Sequence, residues 1–309
     1  MFRFVDLFAG IGGFRIACEK NGGQCVFSSE WDKQARKTYL ANFGHLPSGD
    51  IADINVNDIP NHELITAGFP CQPFSRIGKK EGFNHVTQGN AFFEIVRILE
   101  HHQTKMILLE NVQTILSHDE GNTFQTILSK LVDQLGYQVF YKTLDSSDFG
   151  LPQKRKRVYI VGFLQEVYGE HIEFTWPAIN RTKHFINEFI ETHPTGYNIT
   201  HHLQQNYLFK KNDGLPQVVD KTTKVFVRTL SASYYKIQRQ TGTFIRDGDT
   251  GIRRFSKNEC LSIMGFPMDF IVPVSRAQMY KQFGNSVTVP VVQKIVAQML
   301  KVKPIYKNV

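Results

Sequence analysis

Asp6-Leu7-Phe8-Ala9-Gly10-Ile11-Gly12-Gly13-Phe14 is the stretch whose reading decides the fold. Residues 3–8 read as a strand, the glycines break it, and residues 13–21 carry helical patterning. Glycine without a Cβ lets a ligand approach the backbone, and the helix that follows aims free N–H groups at the same point. In a strand-turn-helix unit of this kind, an acidic residue about 20 positions on commonly holds a ribose hydroxyl pair. Glu30 stands at that place, at the end of a second predicted strand (24–30), and Trp31 beside it offers a flat ring for stacking. The plainer reading is a tight turn with a surface glutamate. With Glu30 in register, a nucleoside-containing cofactor is favoured.

Outward from this unit the rhythm repeats. Helical patterns at 32–43, 89–102 and 122–135 alternate with apolar runs at 64–69, 106–110, 137–144 and 158–163. Alternating strands and helices predict βαβ units, so the fold class is α/β, with a doubly wound, mostly parallel sheet covered on both faces. After residue 163 the rhythm fails. Residues 164–252 are polar, basic and irregular, with β-like pieces at 225–230 and 242–246. A smaller, irregular, β-containing domain is expected there. Helical patterning returns from Ser256, and 287–300 reads as a C-terminal helix. The expected division is 1–164, 165–280, and a segment 281–309 that returns to the first domain.

The 309 residues are 41% hydrophobic, enough for a sizeable core and too many for a disordered chain. Four cysteines without a CxxC pair argue against a disulfide scaffold or a zinc knuckle, and no metal site is expected. No run approaches the ~18 apolar residues of a membrane span, and the N-terminus lacks the pattern of a signal peptide. The expectation is a soluble cytoplasmic protein with no membrane partner. The net charge of +8 is unevenly spread: residues 1–150 hold 13 Lys+Arg against 17 Asp+Glu, and residues 151–309 hold 23 against 11. A balance of −4 followed by +12 suggests that the second half meets a polyanion, the plainer alternative being a solvated basic surface.

In open α/β sheets, ligands gather beyond the carboxyl ends of the strands, and further clusters lie there. Gly49-Asp50-Ile51 offers a carboxylate for an exocyclic amine with an apolar residue against a ring, although alone it is an ordinary loop. In Gly68-Phe69-Pro70-Cys71-Gln72-Pro73-Phe74-Ser75, two prolines hold Cys71 in a stiff corner. Cations follow at Arg76, Lys79 and Lys80, and neighbouring cations lower a thiol pKa, so Cys71 reads as a reactive thiolate. Cys18, Cys25 and Cys260 lie within helix or strand patterns and read as inert. Glu110-Asn111-Val112 places a carboxylate at the end of a buried strand, costly unless it is paired or functional. In Gln153-Lys154-Arg155-Lys156-Arg157 the two arginines share one face of an extended chain.

Taken in order with Gln282-Phe283-Gly284-Asn285-Ser286-Val287, these motifs resemble the DNA (cytosine-5)-methyltransferases, most of all the compact enzymes of bacterial restriction–modification systems. The resemblance covers residues 1–163 and about 228–300; the weakly matching part, about 165–227, is where that family carries its variable target-recognition region. It implies a Rossmann-like fold that uses S-adenosylmethionine. Phe8, Gly10, Ile11, Glu30, Trp31, Asp50, Ile51 and Pro70 would line the cofactor site, with Glu30 on the ribose and Asp50 on the adenine amine, and Asn285 and Val287 would close it. Cys71 would be the nucleophile, and Glu110, Arg155 and Arg157 would face the target cytosine. The base must leave the stack to be reached, and the loop 76–88 is the natural lid. Gln72, Ser75, Arg76, Lys79 and Lys80 would meet DNA from that side. Ser231, Tyr234, Lys236, Gln238 and Arg239 are the polar candidates for reading double-stranded DNA in the major groove. A monomer, with a cognate restriction endonuclease acting on the same site without contact, completes the expectation.

Three other readings compete. An NAD-dependent dehydrogenase shares the glycine turn and Glu30 but has no need of Cys71 between prolines or of a basic second half. A non-catalytic DNA-binding module has no use for Cys71 with Glu110. An RNA cytosine methyltransferase of the same fold differs in the recognition region.

Overall fold

The computed structural model describes residues 1–70 and 91–305. Its spine is a six-stranded sheet of β1 (Phe2–Leu7), β2 (Gly23–Ser28), β3 (Leu64–Gly68), β4 (Met106–Val112), β5 (Tyr137–Asp145) and β6 (Lys156–Leu164). The spatial order is β2-β1-β3-β4-β6-β5. The first four strands pair in parallel, and β6 runs antiparallel to both β4 and β5. The expected mostly parallel sheet is thus present, with β6 its one reversed strand. The link 146–155 is shorter than the roughly twelve residues a parallel crossover needs, so β5 and β6 close as a hairpin.

Side-chain alternation along each strand feeds two cores. Phe4, Leu64, Leu108, Tyr159 and Val161 belong to one, and Val5, Ile65, Ile107, Leu109, Val158 and Ile160 to the other. The first face is covered by α1 (Gly13–Glu19), which packs on α9 (Val289–Met299). The second is covered by α3 (Ala91–His102) and α4 (Asn122–Ser129), through Phe92, Ile95, Phe124 and Ile127. Helix α2 (Lys33–Phe43) starts where the Asp32 carboxylate accepts from the Gln34 and Ala35 amides and ends on Gly44 in the left-handed region. The helix expected at 122–135 is α4 followed by a π-helical turn, Lys130–Gln134.

Past β6 come two single turns, α5 (Gln165–Tyr168) and α6 (His201–Leu203), and the short parallel pair β7 (Gln217–Val219) and β8 (Thr243–Ile245). The β-like run 225–230 is not a strand. It makes one bridge, Val227 to Gln153, because its neighbour there is the irregular entrance to β6. Helices α7 (Lys257–Met264) and α8 (Arg276–Asn285) precede α9. Phe244, Phe255, Leu261 and Tyr280 belong to the same buried cluster as Phe4 and Leu108, so apolar packing is continuous from the sheet into this region. No described helix is long and apolar enough to cross a membrane.

Candidate active site

The carboxyl ends of β1, β2 and β3 build one corner of the site. Phe8, with φ +52°, and Gly10, with φ +55°, turn the chain sharply after β1. A Cβ on Gly10 would meet nothing within 4 Å, so the turn is open on that side. Glu30 is buried against it: Oε2 accepts from the Gly10 amide (2.8 Å) and Oε1 from the Asp32 amide (2.7 Å). Burial raises the Glu30 carboxyl above its usual range against the pull of those amides. A bridge between Ser29 and Ser48 lays the next segment alongside, which brings Asp50 to the same edge. Asp50 is exposed and its Oδ1 accepts from the Ala52 amide (3.1 Å). Trp31 is 75% exposed, with a ring free to stack. Ile11 and Ile51 are core residues.

Residues of the C-terminal segment lie against the helix that follows this turn. A Cβ on Gly13 would lie 2.8 Å from Ser286 Oγ and from Val287 Cγ2, so only glycine admits that approach. Val287 is buried and Asn285 is exposed at the end of α8. Two contacts invisible in the sequence dock α8 onto α2: Lys281 Nζ lies 2.7 Å from Asp32 Oδ2, and Thr38 Oγ1 donates to Gln282 Oε1 at 2.9 Å.

The end of β4 builds the second corner. Register sets Glu110 beside Gly68 on β3 and opposite Tyr159 on β6. Glu110 is 8% exposed. Arg157 Nε lies 3.1 Å from Glu110 Oε1, an ion-pair distance without hydrogen-bond alignment, and Oε1 has no hydrogen-bond partner among the described residues. Burial raises the Glu110 carboxyl, with Arg157 and then Arg155 opposing. Asn111 Nδ2 donates to Phe69 O (2.9 Å) and ties the two strand ends together just before Pro70, which is exposed. The sequence motif contains Asn111, but nothing local reveals this role.

Arg155 needs correction as a base-facing group. It is 3% exposed, and its guanidinium donates to three backbone carbonyls: Leu230 (3.1 Å), Gly284 (3.0 Å) and Ser286 (2.8 Å). Desolvation lowers its pKa to about 10. Arg155 is a staple, and Arg157 alone of the pair contacts Glu110.

Two recognition candidates are corrected too. Tyr234 is buried between Phe244 and Phe255, and its hydroxyl donates to Thr243 O (2.7 Å). Arg239 is 7% exposed and donates to the carbonyls of Leu208, Lys211 and Leu215 and to the Asp213 carboxylate. Both side chains hold the loop from inside, because an aromatic ring and a five-donor fork satisfy a buried turn better than any smaller residue. Lys236 is exposed, over the Tyr235 ring, and Ser231 and Gln238 are half-buried.

Cys71, Gln72, Ser75, Arg76, Lys79 and Lys80, with the expected lid 76–88, lie outside the described residues. The other three thiols match their reading as inert. Cys18 and Cys260 are buried, with burial pushing both well up, and Cys25 is pushed up to about 12.

The model of the C-5 cytosine-specific DNA methylase family matches residues 2–301. The chain is 54% identical over 298 residues to the type II methyltransferase M.MspI of Moraxella sp, covering 96% of this chain and 70% of that protein. It is 55% identical over 297 residues to M.BsuFI of Bacillus subtilis, covering 96% and 72%. Among solved structures, the Entamoeba histolytica methyltransferase EhMeth superposes with a TM-score of 0.78 at 20% identity, covering 97% of this chain and 98% of that one. The S. pombe Dnmt2 methyltransferase does so with 0.78 at 22% identity, covering 97% and 99%. The structural likeness carries the fold, the sequence likeness carries the kinship, and together they make this chain a member of the C-5 cytosine-specific DNA methylase family.

Proposed function

We propose that this enzyme methylates C5 of a flipped-out cytosine within a short specific site of double-stranded DNA, using S-adenosylmethionine, as the modifying member of a restriction–modification system. One observation carries the reading: Glu110, buried, raised by desolvation and 3.1 Å from Arg157, stands beside the end of β3, from which the chain runs on in sequence into Pro70 and Cys71.

The cofactor corner suits its ligand. Gly10 is open, Glu30 keeps lone pairs beyond the two amides it accepts from, Asp50 keeps its second oxygen, and Trp31 is exposed. When bound, S-adenosylmethionine supplies a sulfonium-activated methyl group. Glu30 would take the ribose hydroxyls and Asp50 the adenine amine, with Phe8, Gly10, Ile11, Ile51 and Pro70 around them. Asn285 and Val287 close the pocket from the C-terminal side.

The chemistry follows from the substrate. C5 of cytosine is a weak nucleophile. The Cys71 thiolate adds to C6, while Glu110 shares its proton with N3 and offsets the charge that develops on the ring. This addition makes C5 an enamine carbon. C5 takes the methyl group, with S-adenosylhomocysteine left behind; the C5 proton then leaves to water, N3 gives its proton back to Glu110 and the Cys71 sulfur is expelled, which restores the ring. Arg157 keeps Glu110 oriented, and Arg155 keeps the surrounding backbone in place. C5 and C6 are sandwiched inside a duplex, so the base swings out to be reached. One flipped base needs one pocket, so the enzyme works as a monomer, and its endonuclease counterpart meets the same DNA without touching it.

The test is bisulfite sequencing of mixed-sequence duplex DNA incubated with the protein and S-adenosylmethionine. Protected cytosines in one recurring context are expected. Intact cofactor binding without protection would overturn duplex DNA as substrate and turn the search to RNA. Cys71→Ala is expected to abolish transfer and retain duplex binding; retained activity would remove Cys71 as nucleophile.

A further inference from the structure

The loop 231–242 starts at the active site. Arg155 donates to the carbonyl of Leu230, and a Cβ on Gly284 would fall 2.2 Å from the Ala232 backbone nitrogen, so the chain there lies directly on the cofactor-closing segment. The loop is closed by the Gly242 amide donating to Gln238 O (2.8 Å). Its tip exposes Tyr235, Lys236 and Gln240. Ile237 sits at φ +55°, an uncommon and strained conformation for a β-branched residue, and the turn it makes separates Lys236 from Gln238.

Gln238 is held in a particular way. Its Oε1 accepts from Ser233 Oγ (2.9 Å) and from Thr241 Oγ1 (3.0 Å). Ser231 Oγ lies 3.2 Å from Ser233 Oγ. The Ser233 proton points at Gln238, so Ser231 must donate into Ser233. Hydroxyl protons therefore run one way, towards a single carboxamide oxygen, and each bond in such a chain polarises the next. A carbonyl oxygen has two lone pairs, and both are engaged. The Nε2 group makes no bond to any described residue, and it is the free end of a half-buried side chain.

We infer that Gln238 is a donor-only base reader and that it selects guanine. A glutamine that recognises adenine does so bidentately, accepting from N6 and donating to N7. Gln238 has no acceptor left for N6. Cytosine shows the major groove only a donor at N4, which the Nε2 group cannot satisfy. Thymine shows a single acceptor, O4, beside a methyl group, whereas guanine shows two adjacent acceptors, N7 and O6, for the two N–H donors of Nε2 and no donor beside them. Ser233 and Thr241 are thus positioning residues that set the specificity of Gln238 without touching DNA. This inference rests on duplex DNA being the substrate.

The experiment profiles methylation contexts on a randomised duplex library, read by bisulfite sequencing, for wild type, Gln238→Ala and the double variant Ser233→Ala/Thr241→Val. Wild type is expected to require guanine at one position that Gln238→Ala relaxes by at least about fivefold, with the other positions unchanged. The double variant frees Oε1 and is expected to admit adenine at that position, a gain that poor folding cannot imitate. An unchanged profile in Gln238→Ala, or a double variant that still rejects adenine, would overturn the assignment. So would adenine, cytosine or thymine at the relaxed position in wild type, the first two meaning that the carboxamide is held the other way round. A wild-type protein that methylates no duplex at all would fail earlier, at the substrate, and is distinguishable from all of these.

Discussion

Two carboxyls on one face of the sheet show how burial sets chemistry. Asp6 is fully buried; Thr66 donates to its Oδ1 (3.1 Å), and Oδ2 has no partner among the described residues. Burial lifts this carboxyl to about 8. The folded protein then holds a proton that the unfolded chain, with an ordinary aspartate value near 3.9, has already lost. Stability must fall as pH rises between those values, because the native state binds more protons there. Asp6→Asn removes the group, so its melting temperature is expected to gain on wild type steadily from about pH 5 to pH 8. Two parallel curves would show that Asp6 is not protonated. Glu110, on the same face, is raised by the same physics at the proposed reaction centre. Glu110→Gln keeps the shape but cannot exchange the proton. Turnover is expected to fall by roughly 100-fold or more while cofactor affinity moves less than about threefold, measured by single-turnover kinetics and calorimetry. An unchanged rate would remove Glu110 from the chemistry.

At the scale of elements, the entrance to β6 is where three separate stretches are joined. Arg155 holds the carbonyls of Leu230, Gly284 and Ser286 in one fork. A lysine carries the charge but not the planar set of donors. Arg155→Lys should leave buried carbonyls unmatched and cost about 2 kcal/mol or more in urea denaturation. It should also weaken cofactor and duplex binding together, because the same fork holds the 284–286 segment and the start of the recognition loop. Loss of one affinity alone would mean that the two segments are positioned independently.

Across the whole molecule, the fully buried Arg253 ties together several stretches of the second half. Arg253 is fully buried; it donates to both oxygens of Glu259 (2.9 and 2.8 Å), to Asp247 (3.0 Å) and to the Glu191 carbonyl (3.1 Å). Glu259 also caps its own helix through the Ser256 amide (2.7 Å). Breaking such a pair from one side leaves an uncompensated buried charge, so Arg253→Met is expected to cost about 3–5 kcal/mol. Because apolar packing runs unbroken from Phe4 to Tyr280, the loss should appear in a single cooperative transition seen equally by far-UV dichroism and by tryptophan fluorescence. Two separated transitions would show that the small region unfolds by itself.

What the sequence determined by itself was whatever depends on neighbours along the chain. Apolar period and glycine punctuation placed most strands and helices to within a few residues, because those signals act over one turn or one strand. The turn after β1 was legible too, since Gly10 and Glu30 stand just past the ends of β1 and β2, which the alternating pattern locates. Only the tertiary structure decided which polar groups are used up. Arg155 and Arg157 look equivalent in Gln153-Lys154-Arg155-Lys156-Arg157. Yet one meets Glu110, and the other is claimed by carbonyls 129 and 131 residues away. Tyr234 and Arg239 read as groove-facing polar residues until the loop folds around them, and 225–230 reads as a strand until it is seen to have one bridge. Hydrogen-bond partners and burial are set by long-range packing, which local periodicity does not encode.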